Sequence, residues 1–181
     1  MSLERLLRSR IIRRISPNHG LAVTSLRRAR RDLDTAKALL RENRFDWSLA
    51  ISYNAMLQAG RALMFGRGYR PSSTEGHVAV VNFLRVSVGK EINDKMVLVL
   101  DRMRKKRHRV VYGEIDVISE GEAAQSLKWA QEFVNKIEKI IRPEEAAAAA
   151  EAINRLRASS KTPGWSGAKE IRKWRDASKS S

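Results

Sequence analysis

Thr24-Ser25-Leu26-Arg27-Arg28-Ala29-Arg30-Arg31-Asp32-Leu33-Asp34-Thr35-Ala36-Lys37-Ala38-Leu39-Leu40 carries apolar residues at 26, 29, 33, 36 and 40, three and four apart. Spacing of that kind gathers them on one face of a helix and leaves the arginines on the other. The stretch is too long for a strand and has no period-2 alternation. It therefore reads as a core helix, and the rest of the chain repeats its pattern.

Downstream, Asp46 is a plausible N-cap for a second helix bearing Leu49, Tyr53, Met56, Leu57, Gly60, Leu63 and Met64. Gly66-Arg67-Gly68-Tyr69-Arg70-Pro71-Ser72-Ser73 has the composition of an exposed loop. A shorter helix is expected over His77–Val86, broken near Gly89. A fourth runs from about Glu91 to Tyr112, with Ile92, Met96, Val99 and Met103 inward and Gly113 at its end. Ser119 and Glu122 form a capping box that opens a fifth, lined by Leu127, Ala130, Val134, Ile137 and Ile141. No convincing strand appears. The fold expected is all-α, an up-and-down helical bundle of four to five helices with additional N- and C-terminal helices.

The ends differ from the middle. Residues 1–20 read as a basic amphipathic helix and turn, with Leu3, Leu6, Leu7, Ile11 and Ile15 set between arginines. Its apolar stripe is expected to pack on its own domain or on a second subunit. Residues 21–142 hold the bundle. Residues 143–181 form a basic helical extension, starting at Pro143-Glu144-Glu145, hinged over Ser159–Gly167 and either docked or partly disordered beyond.

With 36 lysines and arginines against 20 acids, the formal net charge is +16. Such a chain repels itself, and a polyanion relieves that repulsion while releasing condensed counterions. A nucleic acid or a nucleotide is the partner this charge favours. Cysteine is absent, which excludes disulfides and zinc-thiolate sites and fits a cytoplasmic protein. The apolar runs are far shorter than the ~20 residues that cross a bilayer, so no membrane span is expected. The first residues lack the pattern of a signal peptide. His19, His77 and His108 are scattered and form no metal-ligand pattern, and no phosphate-binding loop is present, so neither a metal nor a cofactor is expected.

The one dense polar cluster is Arg102-Met103-Arg104-Lys105-Lys106-Arg107-His108-Arg109 on the fourth helix. Arg104, His108 and Tyr112 fall at i, i+4 and i+8 and form one column, with Arg107 beside it. The column joins a fixed cation, a group that titrates near neutrality and a phenol. Those parts suit binding a phosphodiester and moving a proton. Cations at a helix C-terminus also serve simply to satisfy the dipole and the last carbonyls. Trp129 is expected to pack against the bundle, whereas Trp165 and Trp174 in the basic tail are candidates for stacking on bases. His77 reads as a cap or loop contact, and Tyr53 and Tyr69 as structural.

Four segments carry a family resemblance: residues 29–36, residues 46–56, Gly68-Tyr69-Arg70-Pro71 with Glu75-Gly76-His77, and Arg107-His108-Arg109-Val110-Val111-Tyr112-Gly113. In order and spacing, residues from about Ser25 to Ile141 resemble a HEPN domain, the helical family of prokaryotic toxins, CRISPR-associated nucleases and related RNA-processing proteins. The family's nuclease motif is an arginine, a polar residue, three variable residues and a histidine. Arg107 and His108 match its start, but Tyr112 stands where the histidine should fall. A second register, Arg102 with His108, restores an Arg-to-His spacing but ignores the flanking Tyr-Gly match.

The resemblance implies a homodimer that joins two copies of the motif, and a nucleotidyltransferase partner of antitoxin type. It leaves two mechanisms open. One is a metal-independent endoribonuclease using Arg107, His108 and Tyr112, with Arg102, Arg104, Lys105, Lys106 and Arg109 holding the nucleic acid. The other is a toxin-like binding module that has lost the chemistry through Tyr112. A different class is a structural or adaptor protein whose basic ends dock an acidic partner or a membrane surface.

Overall fold

A computed structural model describes residues 2–72, 76–87, 92–112 and 117–159. The expectations placed on Glu75, Gly89, Gly113 and everything from residue 160 onward, including Trp165 and Trp174, lie outside the described residues. Six helices and one two-stranded sheet appear among those described: α1 (Leu3–Arg8), β1 (Ile12–Arg14), α2 (His19–Arg41), α3 (Phe45–Gly66), β2 (Tyr69–Pro71), α4 (Gly76–Ser87), α5 (Asp94–Tyr112) and α6 (Glu120–Ser159). The all-α class read from the sequence is what the chain adopts.

The α2–α3 hairpin packs along most of the length of both helices. Ala22, Ala29 and Ala36 on α2 face an α3 rich in Ala55, Ala59 and Ala62, all fully buried, and such small side chains let two helices approach closely. Ser48 fastens the crossing by donating its hydroxyl to the Ala36 carbonyl at 2.9 Å. About one turn away on α2, the Asp32 carboxylate accepts from the Asn54 side chain at 2.6 Å. Gly60 lets α4 close on the other side of α3, since a Cβ there would lie 2.5 Å from Val80 Cγ1. Phe83, Leu84, Leu100, Phe133, Val134 and Ile137 complete the core from α4, α5 and α6.

Helix starts follow local chemistry. Asn18, not Thr24, begins α2, its side chain accepting the Leu21 N–H at 2.8 Å. Asp46 does not cap α3. It lies in the first turn, and its carboxylate accepts the Ile118 N–H at 3.1 Å, tying the approach to α6 onto α3. Asn93 opens α5 by accepting the Met96 N–H at 2.9 Å. The Ser119–Glu122 box forms as read, with reciprocal bonds of 3.3 Å.

Three departures from the sequence reading stand out. The N-terminal helix stops at Arg8, and Ile12–Arg14 pairs antiparallel with Tyr69–Pro71, Ile12 opposite Pro71. Gly68, at φ +77°, makes that pairing possible: its carbonyl accepts the Ile15 N–H at 2.9 Å, and a Cβ there would meet the Ile15 carbonyl oxygen at 2.8 Å. The segment read as an exposed loop is thus partly an edge strand. Pro143 does not start a helix but lies inside α6. There it forfeits the bond to the Lys139 carbonyl, while strong helix formers on both sides continue the turn. The chain separates into a unit ending at Glu144 and a second beginning at Glu145. In the second unit, Ile153 and Leu156 are exposed.

Candidate nucleic-acid interface

α5 buries Val97, Leu100 and Met103, which turns its C-terminal cations outward on two flanks. Arg104 and Arg107 lie on one flank, within electrostatic reach of Tyr53 on α3 and His77 on α4. Arg102, Lys105, Lys106 and Arg109 line a groove on the other, against α6.

On the first flank, Tyr53 Oη and His77 Nδ1 share a hydrogen bond of 2.9 Å, with ring centroids 5.7 Å apart. Burial pushes the Tyr53 phenol up to about 12, against the pull of Arg104, Arg107 and Arg61. Burial also lowers the His77 imidazole, and the charges of Arg61, Arg107 and Arg104 lower it further. The pair is therefore neutral at pH 7, facing three guanidiniums. Desolvation lowers Arg61 as well, and the neighbouring Arg28 adds to that. The compensating charge is Asp101, whose carboxylate accepts from Arg104 Nε at 2.9 Å and meets Arg85 at 3.3 Å and Lys105 at 3.7 Å. Burial alone would raise Asp101, but the Arg104 hydrogen bond and these charges hold it below the usual range.

At the end of α5, the His108 and Tyr112 rings meet in a tilted arrangement, with centroids 5.0 Å apart and planes inclined by 46°. The Arg107 guanidinium carbon lies 5.7 Å from the Tyr112 centroid, within cation–π range. Tyr112 is 70% exposed, so its hydroxyl is open to solvent. The structure thus brings Arg107, His108 and Tyr112 together as the spacing suggested. Arg104 belongs to the same helix face but is engaged with Asp101.

On the second flank, the groove has a volume of about 500 Å³. Lys106 is ion-paired with Glu122 across it. Trp129 lines this groove with 37% of its surface exposed, so the ring lies against the bundle at the groove's edge and keeps a free part open to it. Ser126, Leu127 and Ala130 already fill the inward stripe of α6, which leaves the indole at its border.

The bond between Tyr53 and His77 is the feature the sequence reading did not foresee. Both residues lie inside segments that carry the family resemblance, yet each reads there as structural. The signal lies in their pairing, which joins two helices across 24 positions and has no periodicity to reveal it. No group of three or more His, Asp or Glu residues is arranged for a metal among the described residues. Nor is any described helix long and apolar enough to cross a membrane.

A HEPN domain model matches residues 22–141. A UPF0332 protein of Thermotoga maritima is 32% identical over 115 residues, 64% of this chain and 86% of that relative. The crystal structure of TT1696 from Thermus thermophilus superposes with a TM-score of 0.56 at 18% identity, covering 65% of this chain and 96% of that one, a likeness of fold. The family match spans the bundle from α2 through the buried part of α6, and the chain belongs to the HEPN family.

Proposed function

We propose that the protein binds RNA or a nucleotide through its phosphates at the C-terminal half of α5, as a toxin-like component that works with a nucleotidyltransferase partner. The observation that carries this reading is the approach of Arg104 and Arg107 to the hydrogen-bonded Tyr53–His77 pair. Several guanidiniums within electrostatic reach of a neutral imidazole and phenol form a partly desolvated cationic surface. A phosphate bound there gains charge-assisted hydrogen bonds and relieves like-charge repulsion.

Binding, rather than cleavage, is the role these side chains favour. Tyr112 occupies the position of the motif histidine, so the imidazole that would relay a proton there is absent. His108 lies tilted against that ring, and no second imidazole stands beside it to complete the motif. Family membership supports a homodimer in which two α5 C-termini line one cleft, since one helix end gives a shallow site.

Fluorescence anisotropy with a single-stranded RNA, read across a salt series, tests this reading. Affinity that falls steeply from low to moderate salt is expected. Salt-insensitive binding, or none, would contradict it and favour the adaptor alternative. Sedimentation at micromolar protein should show a species of twice the 20.6 kDa chain mass.

A further inference from the structure

The groove between α5 and α6 combines features that the Tyr53–His77 flank lacks. Its floor is apolar, made by Met103 and the exposed indole of Trp129, and its walls carry Arg102, Lys105, Lys106 and Arg109 against one carboxylate, Glu122. Trp129 also lines a second cavity of about 210 Å³, beside Met96 and Phe133. Arg102 is exposed and has no acidic partner among the described residues. The larger volume, about 500 Å³, lies within the roughly 300–1,000 Å³ typical of small-ligand sites.

From this we infer that the groove is a base-stacking subsite for single-stranded RNA, in which one nucleobase lies on the Trp129 indole and its flanking phosphates meet Arg102 and, in exchange for its pairing with Glu122, Lys106. The inference rests on the RNA-binding reading above and adds a second contact region to it. A flat aromatic surface between cations fits a nucleotide, because every base has a π-face and every linkage a negative charge. A docked partner helix would instead need a row of apolar holes one helical turn apart. Here Met103 and Trp129 are the apolar floor, and the remaining groove-lining residues are polar, charged or glycine.

The test uses the full chain with Trp47→Phe, Trp165→Phe and Trp174→Phe, which leaves Trp129 as the only tryptophan. It is titrated with an eight-residue oligoadenylate and with an abasic ribose-phosphate oligomer of equal length. The oligoadenylate should quench Trp129 fluorescence and bind about tenfold more tightly than the abasic oligomer, which should not quench. Trp129→Leu should remove that tenfold advantage and leave abasic binding unchanged. Because the two oligomers are compared on the same folded protein, the test does not depend on the Leu variant folding. Equal affinities without quenching would overturn the subsite while leaving phosphate binding at α5 intact. Failure of both oligomers to bind would overturn the subsite together with the RNA-binding reading. Quenching by an acidic amphipathic peptide but not by oligoadenylate would overturn it in favour of a protein partner.

Discussion

His77 Nδ1 lies 2.9 Å from Tyr53 Oη, so the first turn of α4 is joined to the middle of α3, within electrostatic reach of Arg104 and Arg107 on α5. The bond ties a titratable group to the basic face without exposing it fully to water. Much of what can be measured on this protein follows from it.

Removing the neighbouring charges should release His77. Burial comes first among the causes that lower its pKa, followed by Arg61, Arg107 and Arg104. In Arg104→Ala/Arg107→Ala the NMR titration midpoint of His77 should rise toward the ordinary value of about 6.5, and bound RNA phosphate should raise it in the wild type. The sign of the linkage follows: the unfolded chain takes up this proton first, so the neutral imidazole's contribution is lost as pH falls through about 6.5 toward the native value. A midpoint unmoved by the double substitution would mean that the arginines do not act on His77.

Tyr53 should govern the alkaline limb of stability. Its phenol is raised to about 12 in the folded chain, so stability present below about pH 10 is lost as pH climbs toward 12. The full effect is roughly 2–3 kcal/mol. Tyr53→Phe should be less stable at neutral pH, through the missing hydrogen bond, yet lose less on going from about pH 10 to 12. Urea midpoints across that range check it, and parallel pH profiles for the two proteins would contradict it.

Chemistry at the end of α5 is decided by position 112. With chelator present, a mixed RNA pool should stay intact with the wild type, no more cleaved than with His108→Ala. Tyr112→His supplies a group titrating near pH 7 beside Arg107 and His108 and should introduce cleavage. Robust wild-type cleavage that survives the loss of His108 would contradict the assignment of the site.

Much of this architecture is legible in the sequence because helices announce themselves by spacing. Leu26, Ala29, Leu33 and Ala36 on α2 are buried, as are Leu127, Ala130, Val134, Ile137 and Ile141 on α6. The Ser119–Glu122 box marks a helix start because its bonds are local. What stays hidden depends on partners far apart in the chain. Ile12–Arg14 is too short for alternation to show, and becomes a strand only because Tyr69–Pro71 lies beside it. Arg107, His108 and Tyr112 share one helix and can be grouped by counting, whereas Tyr53 and His77 meet only once α3 and α4 have packed. Trp129 illustrates a third limit: spacing places it near the inward stripe of α6, but only packing shows that smaller neighbours have filled the space.

Whether Arg104 and Arg107 hold RNA phosphates near the Tyr53–His77 pair is tested most directly by the salt dependence of binding. Each phosphate that is no longer neutralised should flatten the slope of log affinity against log salt by about 0.7 for a single strand. A comparison of wild type with Arg104→Ala/Arg107→Ala on one single-stranded RNA should therefore show weaker binding and a slope flatter by about 1.4. An unchanged slope at any affinity would contradict the assignment and move the phosphate-binding residues away from this flank of α5.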